Sequence, residues 1–201
     1  SQRSRHFSEC IKIGRRSDVN KEMRHGFVLG GGPGFCNAIR RSLLSDLVAE
    51  APCEVEVRRN TSCQTDEFLA HRIGQIPFRR VGNGDTMDLR VEGRSAWSSA
   101  LTGCAFEPCV EVEIMRLIGD QALELTVHFD EGTGRKHARY CRAAGVGMER
   151  VGSEHRIEFE MIDGSDAKSW LRKAVEAFDS RLDAALLELA HTDRPPPASM
   201  C

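Results

Sequence analysis

A glycine-rich turn near the start of the chain could hold a phosphate group. The segment FVLGGGPGF places the turn from Gly30 to Gly34 after an apolar run that is typical of a strand. Backbone amides in such a turn, ahead of a helix, can bind phosphate oxygens. The glycine spacing does not fit Gly-x-Gly-x-x-Gly, since Phe35 and Asn37 stand where the next glycine would be needed. It does not fit a Walker loop either, because no Lys-Ser or Lys-Thr pair follows. We therefore interpret the turn as structural and keep a small nucleotide-binding enzyme as the alternative function.

Cysteine and histidine residues offer two further chemistries. Cys141 follows His137 closely enough for the thiol–imidazole pair of a hydrolase, but no third orienting group or oxyanion motif accompanies them. Cys104 and Cys109 could ligate zinc together with Cys63 and Cys141, although structural zinc sites usually show two closely spaced pairs. The eight cysteines follow no framework spacing. We therefore expect reduced thiols, no metal, no cofactor and no catalytic residue.

Length, charge and hydropathy narrow the functional class. The 201 residues suffice for one domain or two small ones, and 28 basic residues stand against 30 acidic ones. Proteins that bind phosphate backbones usually carry a basic excess, so we expect no direct sequence-specific nucleic-acid binding. No apolar run approaches the ~20 residues of a membrane helix and no signal peptide opens the sequence. These features predict an intracellular protein without membrane contact.

Two helices with broad apolar faces must position these groups. The first follows the glycine turn in NAIRRSLLSDL, with Arg40 and Arg41 on its narrow polar side, where we expect an acidic partner from another chain. The second runs from about residue 166 to 190, about 37 Å at 1.5 Å per residue. Because this length exceeds the core of a small domain, we expect its far half to pack on another chain. A proline-rich tail, HTDRPPPASMC, follows.

The remaining elements are strands, one short helix and a cationic loop. Alternating apolar residues predict a strand with Ile11, a half-buried strand over 53–58 and a final strand over 155–162. The three strands over 87–91, 110–114 and 123–129 predict an antiparallel sheet with one solvated face. Thr65 is a plausible N-cap for a helix that ends near Gly74. The segment EGTGRKHARYCR is dense in cations and follows two glycines, so we expect a mobile recognition loop, with a solvated charged turn as the alternative.

Three sequence blocks, in this order, resemble the alpha-type assembly subunits of multisubunit RNA polymerases, namely bacterial alpha, its archaeal counterpart and the third-largest eukaryotic subunit. Residues 37–41 resemble the NALRR signature of this family. Residues 60–77 resemble its Asn-(Thr/Ser)-Ser, Asp-Glu and Ala-His-Arg-(Leu/Ile)-Gly-x-(Ile/Val)-Pro block. Residues 132–139 are similar to its Gly-x-Gly-(Arg/Lys)-x-His-Ala-(Lys/Arg) block. The resemblance covers about residues 27–189.

The resemblance implies an α+β fold and a non-catalytic role in transcription. A discontinuous dimerisation domain, residues 1–53 and 152–201, would combine an antiparallel sheet with two packed helices. An inserted, mostly-β domain, residues 54–151, would interrupt it. The chain would be an assembly platform of a DNA-directed RNA polymerase, forming a heterodimer with a smaller alpha-like subunit. It would then recruit the second-largest and largest subunits and small accessory subunits.

The resemblance also assigns residues to two surfaces. The dimer interface would contain Phe35, Ile39, Leu43, Leu47, Leu171, Val175, Phe178, Leu182 and Leu186. The surface for the large subunits would contain Arg40, Arg41, Asp66, Glu67, His71, Arg72, Arg135, His137 and Arg139.

Some features depart from the family pattern. Cellular relatives often carry a longer inserted domain, sometimes with a cysteine-ligated zinc ion or iron–sulfur cluster, whereas residues 82–118 are short and contain only Cys104 and Cys109. With the diverged glycine turn and Gln75 in the HRIG block, this indicates a divergent or viral member. We expect it in the nucleus if the source is a eukaryotic cell, and in the virion or infected cell if the source is a virus.

Overall fold

The computed structural model describes residues 11–12, 24–103 and 105–192, which combine α-helices with antiparallel strands. The helices are α1 (Pro33–Ser45), α2 (Asp66–Gly74) and α3 (Ala167–Thr192). The strands are β1 (Ile11–Lys12), β2 (Arg24–Leu29), β3 (Val48–Asn60), β4 (Phe78–Arg80), β5 (Thr86–Glu92), β6 (Ala96–Trp97), β7 (Phe106–Pro108), β8 (Glu113–Met115), β9 (Ala122–Thr133), β10 (Ala143–Val151) and β11 (Glu154–Met161). The predicted mixture of helices and antiparallel sheet is confirmed.

The strands form two larger sheets and two small ribbons. One sheet has the order β1-β2-β11-β10 and the other has the order β3-β9-β5, while β4 pairs with β7 and β6 pairs with β8. The predicted N-terminal strand is confirmed at Ile11, which pairs with Leu29. The rest of that prediction and the proline-rich tail beyond residue 192 lie outside the described residues.

The first hydrophobic core lies between the four-stranded sheet and the helices α1 and α3. Alternate residues of β11 point into this core, and the rings of Phe27 and Phe159 stack with centroids 5.6 Å apart. Helix α1 buries Cys36, Ile39 and Leu43 against the same layer. Because the sheet is apolar on this face, the two helices must pack together over it.

The second core lies under α2 and the three-stranded sheet. The predicted alternation at Met87, Leu89 and Val91 is confirmed, since all three side chains are buried. The ring of Phe106 stacks on Phe129 at a centroid distance of 3.9 Å. This second core is built from residues 69–129.

A long antiparallel ladder passes through both cores. Strand β3 pairs with β9 from Val48 opposite Thr133 to Asn60 opposite Leu123. It begins earlier than predicted and contains Pro52, whose missing N–H coincides with a bulge between Pro52 and Glu54. One end of the ladder contributes to the first core and the other end to the second.

The predicted strand over 110–114 is wrong for residues 110–112. The Ser98 hydroxyl donates to the Val110 carbonyl at 3.0 Å, and the Val112 amide donates to the Ser98 oxygen at 2.9 Å. A serine side chain therefore satisfies backbone groups that a neighbouring strand would otherwise bind.

Candidate functional site

The cationic segment 132–142 is seated on the C-terminal end of α1. The Arg135 amide donates to the Ser45 carbonyl at 3.2 Å. A Cβ atom on Gly134 would collide with the Leu44 carbonyl oxygen, and one on Gly132 would lie 2.7 Å from the Tyr140 ring. Both glycines are needed for close approach rather than for an unusual backbone angle. Where the sequence predicts a mobile recognition loop, these contacts hold the backbone of residues 132–142 against α1. We call residues 132–142 the anchored segment.

Asp46, directly after α1, is the carboxylate at which three segments meet. Its side chain is 6% exposed. Arg135 Nε donates to Oδ1 at 2.9 Å, and Arg181 Nη1 from α3 donates to Oδ2 at 2.6 Å. The Ser42 hydroxyl donates to Oδ2 at 2.8 Å, and the Ser45 hydroxyl lies 2.9 Å from Oδ1. The carboxylate is thus fully matched by donors.

Sequence reasoning did not single out Asp46, although a signal existed. The helix dipole disfavours a carboxylate at a helix C-terminus. An aspartate at this position therefore indicates a basic partner, but its spacing does not reveal which arginine supplies it.

The environment of Asp46 changes its acidity. Burial alone would raise the pKa of this carboxyl, but the hydrogen bonds from the two serines and two arginines outweigh burial and lower the pKa to about 2. The ionised form is therefore the one that the fold stabilises.

This shift predicts a pH dependence of stability that Asp46→Asn should remove. Since the folded pKa is about 2 and the unfolded value is about 3.9, the carboxylate stabilises the fold above about pH 4, and this contribution falls as the pH drops towards 2. The contribution at neutral pH should be about 2 kcal/mol. Urea unfolding at several pH values, compared between the wild type and Asp46→Asn, measures it.

The matched control is Asp120→Asn, which removes an exposed carboxylate. This variant should keep the pH dependence of the wild type. Equal slopes for the wild type and Asp46→Asn between pH 4 and 2 would show that the carboxylate is not held as described.

Arg139 also forms hydrogen bonds within this chain. Its Nη1 donates to the Pro52 carbonyl at 2.6 Å, while its backbone amide donates to His137 Nδ1 at 3.1 Å. Arg135, by contrast, keeps 59% of its side chain exposed despite its bond to Asp46. The segment can therefore present Arg135 and the exposed His137 to solvent while its backbone stays fixed.

The second sequence block forms α2 and the loop before it. The predicted N-cap is confirmed, because the Thr65 hydroxyl accepts from the Phe68 amide at 3.4 Å. Asn60 holds the loop by donating to Asp66 Oδ1 at 2.7 Å and accepting from Ser62. The remaining predicted residues of this block, Glu67, His71 and Arg72, are exposed. Arg72 donates to the Glu113 carbonyl at 2.7 Å, and its guanidinium lies over the Phe68 ring.

The nine residues predicted at a dimer interface divide into two groups. Ile39, Leu43, Leu47, Leu171 and Val175 are buried in the first core of this chain. Phe35 and Phe178 are half-buried, with ring centroids 6.0 Å apart, whereas Leu182 and Leu186 are 43% and 57% exposed. The buried group holds α1, α3 and the sheet together and offers no surface to a partner. The dimer interface stays a prediction, and of its nine residues Phe35, Phe178, Leu182 and Leu186 keep partly or largely exposed side chains.

Arg40 and Arg41 lie at the surface of α1. Arg40 is half-buried and its Nε donates to Asn37 Oδ1 at 2.9 Å, while Arg41 is exposed. The neutral amide leaves the charge of Arg40 uncompensated locally, so both arginines can receive an acidic partner.

The alternative enzymatic chemistries gain no support from the geometry. The Cys141 thiol donates to the Ala143 carbonyl at 3.0 Å, and burial raises its pKa, which disfavours the reactive thiolate. In the glycine turn, Gly31 has φ +123°, but a Cβ on Gly32 or Gly34 would meet open space. No contact with the rest of the described chain therefore requires glycine at positions 32 and 34.

The part of the chain that the structure describes offers neither a metal-ligand cluster nor a membrane helix. Within it, no three His, Cys, Asp or Glu side chains are grouped as metal ligands. Cys104, considered from the sequence together with Cys109 as a zinc ligand, lies outside the described residues. No described helix combines the length and apolar character needed to cross a bilayer.

Comparison with known proteins identifies relatives, although no protein-family model matches the chain. DNA-directed RNA polymerase subunit Rpo3 of Halobacterium salinarum is 31% identical over 158 residues, which cover 73% of this chain and 63% of that relative. Rpo3 of Methanocaldococcus jannaschii is 27% identical over 185 residues, covering 89% of this chain and 96% of that relative. RNA polymerase II subunit RPB3 of Schizosaccharomyces pombe is 48% identical over 42 residues, covering 21% of this chain and 14% of that relative.

The alignment with the Methanocaldococcus protein also concerns the short middle part of this chain, residues 82–118. Because the alignment spans 96% of the Methanocaldococcus protein, a chain without a longer insert also occurs in archaea and does not by itself indicate a virus. At moderate identity, these relatives support an alpha-type subunit of a DNA-directed RNA polymerase.

Proposed function

We propose that this chain is a non-catalytic assembly subunit of a DNA-directed RNA polymerase. It forms a heterodimer with a smaller alpha-like subunit and recruits the second-largest and largest subunits, together with small accessory subunits. The observation that carries the proposal is the apolar stripe of α3, which continues past the chain's own core into solvent. A polymerase subunit acts inside the cell, and the nuclear and virion alternatives stay predictions.

The stripe of α3 supports the heterodimer. Leu171 and Val175 are buried and Phe178 is half-buried, but Leu182 and Leu186 at the next helical positions are exposed. One continuous face therefore serves the chain's own core in its first half and is uncovered in its second half. Exposed apolar stripes of this kind are favourable surfaces for a partner helix.

Charged surfaces support the contacts with the large subunits. Asp66, Glu67, His71 and Arg72 on α2 are exposed, as is Arg135 on the anchored segment. Exposed charges of both signs favour recognition by electrostatic complementarity, which contributes mainly to specificity and association rate. The apolar stripe and the charged surfaces would thus select different partners.

The two-domain organisation is part of the proposal. Two separate hydrophobic cores support it, with the second built from residues 69–129. Strand β10 pairs with β11 in the four-stranded sheet, so residues 143–151 belong structurally with the first core. A dimerisation domain containing this hairpin is the form of the proposal that agrees with the strand pairing.

Co-purification tests the proposed function. A tagged chain expressed in its native source should recover a smaller alpha-like subunit and both large polymerase subunits, identified by mass spectrometry. Purified alone, the chain should show faster amide exchange over residues 183–189 of α3, beyond the contact of Arg181 with Asp46, than over residues 167–182, because no partner covers the end of the helix. A stable monomer with α3 protected to its end, and no polymerase subunits among its partners, would contradict the proposal.

Replacing Arg40 and Arg41 together with alanine should separate the two interfaces. The apolar stripe is untouched, so binding of the small partner should be nearly unchanged, whereas capture of the second-largest subunit should weaken by roughly 2–5 kcal/mol. Affinities measured for each partner separately would test this difference.

The matched control is Arg58→Ala with Arg59→Ala, which removes two adjacent exposed arginines from β3. The control should bind both partners normally. If the Arg40 and Arg41 double variant loses the small partner and keeps the large one, these arginines belong to the other interface.

A further inference from the structure

One buried carboxylate joins segments that are far apart in the sequence. Oδ1 of Asp46 accepts from Arg135, 89 residues away, and Oδ2 accepts from Arg181, 135 residues away. Each oxygen therefore serves a different segment. If either arginine leaves, the carboxylate, which is 6% exposed, keeps the serine hydroxyls and the other arginine but loses one charged donor, and a buried charge that loses a charged partner is destabilised.

Arg181 and Arg135 lie next to the two proposed partner surfaces, the exposed end of α3 and the anchored segment. Residues 177–179 of α3 are half-buried and residues 181–189 are exposed, so Arg181 lies where the helix leaves the core. Arg135 begins the outer part of the anchored segment, and its own amide is bound to the Ser45 carbonyl. Asp46 thus contacts each surface at the point where it departs from the core.

We propose that Asp46 is a positioning residue that couples the distal half of α3 to residues 134–139. Loss of either arginine from the carboxylate leaves the other with an altered partner, so order in one segment depends on the other. The coupling itself follows from this chain alone. It rests on the proposed function only in its consequence, namely that a small partner seated on α3 also orders the segment offered to the large subunits.

Hydrogen–deuterium exchange on the full chain, without partners, tests the coupling. Arg181→Gln should raise the exchange rates of amides in residues 134–139 by roughly tenfold, and Arg135→Gln should do the same for residues 178–182, the turn of α3 around Arg181. Asp46→Asn should raise both. The control Arg172→Gln removes an exposed arginine from the buried half of α3 and should leave residues 134–139 unchanged.

The outcomes are distinct from those that test the proposed function. If each arginine substitution changes exchange only in its own segment, the coupling is refuted, whatever the chain binds. If the coupling is observed but no polymerase subunit co-purifies, the proposed function fails alone. Should Asp46→Asn fail to fold, the two arginine variants decide the question, with exchange in β9 as the measure of an intact fold.

Discussion

Replacing Gly134 with alanine is expected to destabilise the chain by about 3 kcal/mol. The new methyl group would meet the Leu44 carbonyl oxygen and would lie 3.2 Å from Ser45 Cα, both of which are backbone atoms of the last turn of α1. Backbone cannot move aside as a flexible side chain can. The segment must therefore lift from α1, which also pulls Arg135 away from Asp46. Urea unfolding measures the loss.

Gly34→Ala is the matched control for this prediction. A Cβ atom at Gly34 meets nothing within 4 Å, and the residue lies in the first turn of α1. Alanine should be neutral or slightly stabilising there, because it reduces the conformational entropy of the unfolded chain. Equal unfolding midpoints for Gly134→Ala and the wild type would mean that the segment is not seated on α1 in solution.

Leu182→Glu combined with Leu186→Glu is expected to abolish binding of the proposed small partner without unfolding the chain. Both leucines are exposed, so the free energy of unfolding should change by no more than about 0.5 kcal/mol. Two buried charges at the centre of an apolar interface should weaken association by at least roughly a hundredfold. Co-expression with the partner and quantitative pull-down measure the loss.

Leu187→Glu controls for charge and position on the same helix. Leu187 is 64% exposed but lies off the stripe that contains Leu182 and Leu186. The Leu187→Glu variant should therefore still bind the proposed small partner. Loss of the partner with Leu187→Glu, and retention with the double variant, would move the proposed interface to another face of α3.

The helices and most strands were predictable because their apolar residues repeat at regular intervals. The helical period places Ile39 and Leu43 on one face of α1, and the period of two places Met87, Leu89 and Val91 inside the second core. Periodicity does not distinguish a face that packs on its own chain from one that packs on a partner. The assignment of Ile39 and Leu43 to an interface was therefore not decidable from the pattern, although their burial was.

Contacts between distant segments could not be predicted from local patterns. The pairing of Asp46 with Arg135 and Arg181 depends on how the chain returns to the first core after the second core is complete. The Ser98 contacts at residues 110–112 depend likewise on tertiary structure. Both the glycine motif around Gly134 and its arginine were visible as a sequence block, but their partner on α1 was not.

The ladder between β3 and β9 gives the molecule a mechanical property. Domains usually move about flexible linkers. Here paired strands run from Val48 opposite Thr133 to Asn60 opposite Leu123, with register shifts between Pro52 and Glu54 and between Val57 and Arg59. A hinge between the cores would have to break several of these hydrogen bonds, at about 1 kcal/mol each. The ladder of β3 and β9 should therefore resist bending between the two cores, and proteins bound at its two ends would be held at a nearly fixed separation.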